Sequence, residues 1–203
     1  MITGIFQPVL DKFYNVPAYT NGNWGAVATK TYLAIAIFTD NRKMYKKAID
    51  FYYNGNDNGT LKNYIDETTG QIQVSGRDQG HSQLGIGALA TTCEEAWVQG
   101  DDLYSAMNNR LLKGFEYVAK YNLGNDDVPF KVWTDITGKY SNWTIISDKD
   151  RGKFKPVYEM VYNHFVRRKG LSMPFTKQVI EKNGSEGFER DQPSFGTFIF
   201  SGK

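Results

Sequence analysis

The sequence predicts an all-α chain assembled from antiparallel helical hairpins packed side by side. Apolar residues recur at the i, i+3, i+4 spacing of a helix face through most of its 203 residues. Two pairs of such segments are joined by very short connections, which makes the paired helices antiparallel neighbours. The β-branched alternations of a sheet protein are missing, leaving only IQV near Ile72 and TFIF near Phe198 as possible strands.

Each element follows from its local pattern. Ile5, Phe6, Val9, Leu10 and Phe13 share one face of a short helix that Pro17 ends. Trp24 to Phe38 is apolar on several sides and reads as an inner helix. Thr39 and Asp40 look like the cap of the next helix, Asn41 to Tyr53, whose apolar face is Met44, Tyr45, Ala48, Ile49 and Tyr52. Gly55 to Gly76 is a polar, Gly- and Asn-rich connection too long for a turn, the kind of ordered loop that often carries function. A second hairpin pairs His81–Trp97 with Leu103–Tyr121, broken by QGDD. After a loop holding Trp133 and Trp143, one more helix is expected over Phe154 to Arg168, with Pro156 in its first turn, and a short one near Thr176 to Lys182. No fixed repeat and no interdomain linker is visible, so residues 1–203 read as a single domain.

Composition narrows the function classes. A chain that is 40% hydrophobic and 23% charged can bury a real core and is too apolar for disorder. Lys+Arg 24 against Asp+Glu 22 gives +2, so bulk charge points to neither nucleic acid nor membrane as a partner. No apolar run reaches the roughly 18 residues of a membrane span. Met1 to Leu10 show no signal-peptide pattern. The single cysteine, Cys93, excludes a disulfide scaffold, and His81 and His164 lack the HExxH spacing of a zinc site. The aromatic load is unusual, at 13 Tyr, 13 Phe and 4 Trp. Without a basic excess, those rings fit stacking on sugars better than on bases.

Three stretches could carry chemistry. In NGNWG, Asn23 either caps the inner helix or, if Asn21 is the cap, is left to donate its amide to a ligand carboxylate beside Trp24. In SGRDQGHSQLGIG, Arg77, Asp78, Gln79, His81, Ser82 and Gln83 run straight into an apolar helix. A helix start favours anions, so Arg77 and His81 form a candidate carboxylate clamp. In the competing structural reading Asp78 caps the helix, Arg77 pairs with it and His81 is a satisfied neighbour. In DRGKFKPVYEMVYNHF, Tyr158, Tyr162 and Phe165 share a face with Glu159 and Asn163 alongside. Such a stripe is either core or catalytic, and Arg151, Lys153 and Lys155 would help lower the pKa of a nearby phenol.

These residues, in this order, resemble the alginate-lyase-like polysaccharide lyases, in the branch that includes glucuronan lyases. NGNW, SGRDQGHSQLGIGALA, CEEAWVQGDDLY, NNRLLKGFEYVAKYNLG and RGKFKPVYEMVYNHFVRRKGL carry the resemblance over nearly the whole chain. It implies an (α/α) toroid, an acidic polysaccharide substrate, β-elimination without metal or cofactor, and a periplasmic or secreted location. By motif, Asn23 and His81 match the groups that neutralise the substrate carboxylate. The catalytic tyrosine falls in the VYEMVYN helix with a basic residue about two turns upstream, a spacing met by Arg151 with Tyr158 and by Lys155 with Tyr162. The other expected substrate contacts are Trp24, Arg77, Gln79, Gln83, Lys155 and Glu159.

The chain departs from the family pattern in three ways. Such lyases are longer and begin with a secretion signal, so the chain is expected to be the C-terminal portion of a longer domain, an incomplete toroid. Gly25 stands where an acidic residue is common. Lys155 stands where Arg is expected, and it cannot fork onto a carboxylate. Two further classes remain open: a carbohydrate-binding remnant without catalysis, and an (α/α) glycoside hydrolase using Asp78 and Glu159.

Overall fold

A computed structural model describes residues 1–13 and 22–201, with the Phe13 side chain not described. Helices are the only regular elements among the described residues, with no strand among them. A π-helical turn, Ile2–Phe6, leads into α1, Gln7–Phe13. There follow α2 (Gly22–Phe38), α3 (Arg42–Asn54), α4 (Leu61–Tyr64), α5 (Gln79–Val98) and α6 (Ala106–Asn122). After a long irregular stretch come α7 (Tyr158–Tyr162), which continues as a π-helix over Asn163–Arg168, then α8 (Pro174–Asn183) and α9 (Gly196–Phe200).

Two layers result. α2 packs mainly on α5, and α5 reaches α7. Neither α2 nor α5 is amphipathic, because each is enclosed on several sides: Ala26, Leu33 and Ala36 of α2 and Ile86, Leu89, Ala90 and Cys93 of α5 are all buried. The second layer is amphipathic. α3 lies on α2 with Met44, Tyr45, Ala48 and Phe51 inward and its lysines in solvent, α6 lies on α5, and α8 rests on α6 and α7. The inner helices run parallel. Gly22 and Gly85 both press on the Tyr64 ring near the starts of α2 and α5, and Val157, just before α7, lies over Gly87. Beyond the far end of α7, His164 packs against Trp97 of α5 at 4.8 Å. Three helix starts therefore share one rim.

Residues 123–157, which contain no helix, are fastened to these layers by buried amides. Asn58 donates to Asp135 Oδ1 (3.0 Å) and accepts the Ile136 N–H (3.1 Å). Gln71 pairs in both directions with the Lys131 backbone, each bond 2.8 Å. Gln79 donates to the Ser147 carbonyl (2.8 Å), and Gln83 to the Lys153 carbonyl (3.0 Å). An irregular segment has no ladder of its own, so its backbone groups need such partners.

Several local expectations change. Asn41, not Thr39 or Asp40, caps α3 by accepting the Met44 N–H at 3.0 Å, while Asp40 takes φ 48° to turn the chain between helices. The possible strand TFIF is helix α9, and IQV makes only one antiparallel bridge, Ile65 with Ile72. Helix α7 begins at Tyr158, so Phe154 and Pro156 precede it; the Lys155 N–H is taken by Gln83 Oε1 instead of a helical carbonyl. At the start of α6, Met107, Asn108 and Asn109 adopt left-handed backbone at φ 50°, 58° and 55° before the right-handed helix sets in. The alternative cap Asn21 and the helix-ending Pro17 lie outside the described residues.

Candidate functional site

The rim is organised by Tyr64, which lies in the polar loop between the hairpins. Its ring is fully buried and its hydroxyl donates to the His81 carbonyl at 3.1 Å. A Cβ at Gly22 or at Gly85 would collide with this ring, so both helices need glycine where they pass it. Glycine at position 25 has a matching cause: a Cβ there would stand 2.6 Å from the Asp57 carboxylate. Asp57 thus brings an acidic group to the place where the sequence lacks one.

On α5, Asp78 is the N-cap. Its Oδ1 accepts the His81 N–H at 2.6 Å, and its carboxylate also meets His81 Nδ1 at 2.7 Å. An ionised carboxylate only accepts, so it fixes Nδ1 as the protonated nitrogen and leaves Nε2 for other work. Arg77 Nε stands 3.6 Å from the same carboxylate, and the side chains of Arg77 and His81 are each 34% exposed. Asp150 lies beside this turn, 3.6 Å from where a Cβ of Gly80 would be. Its carboxyl is lowered by a hydrogen bond from Lys153 and by the charges of Lys153, Lys149 and His81. The structural reading of SGRDQGH and the clamp reading therefore coexist: the cap, the ion pair and a ring nitrogen without a partner among the described residues occupy one turn.

On α2, Asn23 is buried and its Oδ1 has no hydrogen-bond partner among the described residues, while Trp24 is 56% exposed. Both line a groove of about 320 Å³ with Leu10, Val27, Ala28, Thr31, Leu84 and Asp191. Leu84 is one helical turn beyond His81, so the groove adjoins the histidine turn. Neither His81 nor either tyrosine is among the groove's lining residues.

The remaining candidates are placed differently. Tyr158 is buried, ringed by Phe115 and Phe154, and donates its hydroxyl to Gln83 Oε1 at 3.0 Å. Burial, and then the charge of Glu186, drive its phenol far above the ordinary range, opposite to the lowering that nearby basic residues would cause. Those basic residues are engaged elsewhere. Arg151 lies over the Tyr121 ring at 4.0 Å, donates to the Tyr121 carbonyl and pairs with Asp126; Lys153 pairs with Asp150 and Lys155 with Glu189. Tyr162 is half-buried, with the Arg167 guanidinium 5.2 Å from its ring centre. Gln79 and Gln83 are buried, and their amides are bonded within the protein. Glu159 is buried against Arg167 at 3.1 Å.

Sequence reasoning missed Tyr64 and Glu186. Glu186 Oε1 accepts the N–H groups of Tyr158 (2.6 Å) and Glu159 (3.1 Å), capping α7 from a later loop. Burial pushes its carboxyl up to about 7, with the two N–H bonds opposing and the Glu159 charge adding. No local pattern could have revealed a cap so distant in sequence. The glycines of GIG did carry a signal for Tyr64, because they announce a close neighbour.

Residues 6–128, more than half the chain and including the histidine turn and every groove residue but Asp191, match the family model described as Alginate lyase. No curated protein and no solved structure matches.

Proposed function

This chain belongs to the alginate lyase family of polysaccharide lyases, and from that premise we propose that it cleaves a uronic-acid polymer by β-elimination at the rim where α2 and α5 begin. The observation that carries the reading is the Asp78–His81 pair beside the groove of Asn23 and Trp24.

The chemistry asks for three things, and the rim supports each. The C5 proton of a uronate lies α to a carboxylate, whose charge must be neutralised before the proton becomes acidic. Arg77 and the Asn23 amide serve that role by charge and hydrogen bonding. His81, held by Asp78 through Nδ1, presents Nε2 as the base that takes the C5 proton. The electron pair left at C5 then forms the C4–C5 double bond as the C4–O4 bond breaks, and the departing oxygen needs a proton. The protonated His81 Nε2, at the same rim, is the donor, returning to O4 the proton that it took from C5. Trp24 offers a face for the neighbouring sugar. Alginate and glucuronan are the substrate candidates, in a secreted or periplasmic setting. Among the described residues no helix is long and apolar enough to cross a membrane.

The test is ultraviolet absorbance of the unsaturated product on polymannuronate, polyguluronate and polyglucuronate. Absorbance from wild type that His81→Ala reduces by about 10²-fold or more supports the reading. Reducing ends without absorbance would mean hydrolysis. The buried phenol of Tyr158 favours one alternative, a binding module without turnover, which would hold uronan and release no product.

A further inference from the structure

A second concavity, sharing no residue with the Asn23–Trp24 groove, lies between the end of α4, the start of α6 and the loop around Trp133. It has a volume of about 410 Å³ and is lined by Lys62, Asp66, Glu67, Arg110, Lys131 and Trp133 among others. That volume falls in the roughly 300–1,000 Å³ range of small-ligand sites.

Its chemistry is built around Arg110. The side chain is only 9% exposed, yet its Nε has no hydrogen-bond partner among the described residues. Its Nη2 is paired at 2.5 Å with Glu67, a side chain 79% exposed. A carboxylate that reaches from solvent onto a buried guanidinium marks where a ligand carboxylate would sit. Glu67 comes to the guanidinium on an exposed side chain, so a ligand carboxylate can take its place there. Lys62 is exposed and makes no ion pair among the described residues. Lys131 is held by Asp66 and stands 6.0 Å from the Trp133 ring centre, at the outer edge of a cation–π contact, so the ring face is not closely covered.

We propose that this cleft is a second binding site for the acidic polysaccharide, with the ligand carboxylate on Arg110 and Lys62, sugar hydroxyls on Asp66 and Glu67, and a pyranose face on Trp133. Two lining carboxylates separate it from a nucleic-acid groove, where they would repel phosphates. Asp66 stays ionised because, against its burial, Lys131 and the Thr69 N–H and hydroxyl bring its carboxyl down to about 2. Excess basic charge separates the cleft from a neutral-sugar site. The inference rests on the uronan reading above but not on catalysis.

The test is calorimetric titration of the full chain carrying His81→Ala, which stops turnover, with polyguluronate and polyglucuronate hexamers and with cellohexaose as the neutral control. Two classes of uronate site are expected. Lys62→Glu, a surface change that leaves the core untouched, and Trp133→Ala should each weaken one class about tenfold or more. Trp24→Ala should weaken the other. Uronate binding that ignores both Lys62→Glu and Trp133→Ala, or equal binding of cellohexaose, overturns the proposal, as does a chain that binds no uronate. Trp133-dependent binding in a protein that yields no unsaturated product would uphold this site while refuting β-elimination. Product formation with no Trp133 or Lys62 dependence of binding would do the reverse.

Discussion

Replacing Gln83 with methionine should cost this protein about 4 kcal/mol, far more than removing the Tyr158 hydroxyl that Gln83 holds. The figure follows from what the amide leaves behind. Methionine keeps the approximate length but cannot hydrogen-bond, so the Tyr158 hydroxyl (3.0 Å), the Lys155 N–H (2.9 Å) and the Lys153 carbonyl (3.0 Å) all lose their partner. Each unsatisfied buried group costs about 1–3 kcal/mol. The Gln79 carbonyl, also served by Gln83 at 3.2 Å, lies in α5 and can keep its helical bond. For a chain of this size about 4 kcal/mol corresponds to a fall in Tm of roughly 8–16 °C. Tyr158→Phe orphans nothing, because Gln83 Oε1 keeps the Lys155 N–H, and should cost only about 1 kcal/mol. In the Gln83→Met background the same Tyr158→Phe should be neutral or stabilising, since it deletes an orphan. Urea denaturation of the four proteins measures the cycle. A Gln83→Met cost below about 1 kcal/mol, or strict additivity, would refute the claim that this amide clasps α5 to the segment before α7.

Further outcomes are expected. Tyr158→Phe and Tyr162→Phe should each leave the elimination rate on the best uronan within a few-fold, because one phenol is sealed in the core and the other lies at the end of α7; a loss of about 10²-fold from either, read by product absorbance, would move the chemistry away from His81. Glu95 is the clearest pH probe: burial, with Lys30 opposing, raises its carboxyl to about 8. Between the unfolded value near 4.3 and that folded value the native state binds the extra proton, so stability falls as pH rises from about 4.5 to about 8. Glu95→Gln should remove that decline, and parallel Tm–pH curves for the two proteins would refute it. Glu186→Ala removes the cap of α7 and should cost about 1–2 kcal/mol in urea denaturation, with Glu186→Gln milder because its amide oxygen still accepts. Gly85→Ala drives a methyl group into the Tyr64 hydroxyl and should cost at least about 1–3 kcal/mol by the same measurement, whereas Gly187→Ala meets no neighbouring atom.

Helix existence was readable because burial imposes periodicity. Trp24–Phe38, Asn41–Tyr53 and His81–Trp97 each fall within two residues of α2, α3 and α5. What failed was governed by distant partners. Pro156 sits where a helix could begin, yet the chain enters α7 only at Tyr158, where the Glu186 carboxylate waits for its N–H groups. TFIF has strand-like composition, and packing on α7 makes it a helix. The same limit applies to the site. Asp78 beside His81 is a local motif and was legible as such. The assignments of Gln79, Gln83 and Arg151 to substrate were not decidable locally, because their partners at Ser147, Lys153 and Asp126 lie 25 to 70 residues away.

The buried amides that fasten residues 123–157 set the limits of what can be produced as a fragment. The stretch that identifies the family ends at residue 128, but Asn58, Gln71, Gln79 and Gln83 within it make their bonds to residues 131–155. A protein cut at that boundary would keep the histidine turn and all of the groove but Asp191 in sequence, while exposing or orphaning four polar side chains that the intact chain buries. It would fold poorly, expose the underside of α5 and invite aggregation, whatever its active-site residues. A recombinant unit needs to extend past Lys155, and a cap from Glu186 moves that minimum further still. The length that reveals ancestry is shorter than the length that makes a stable body.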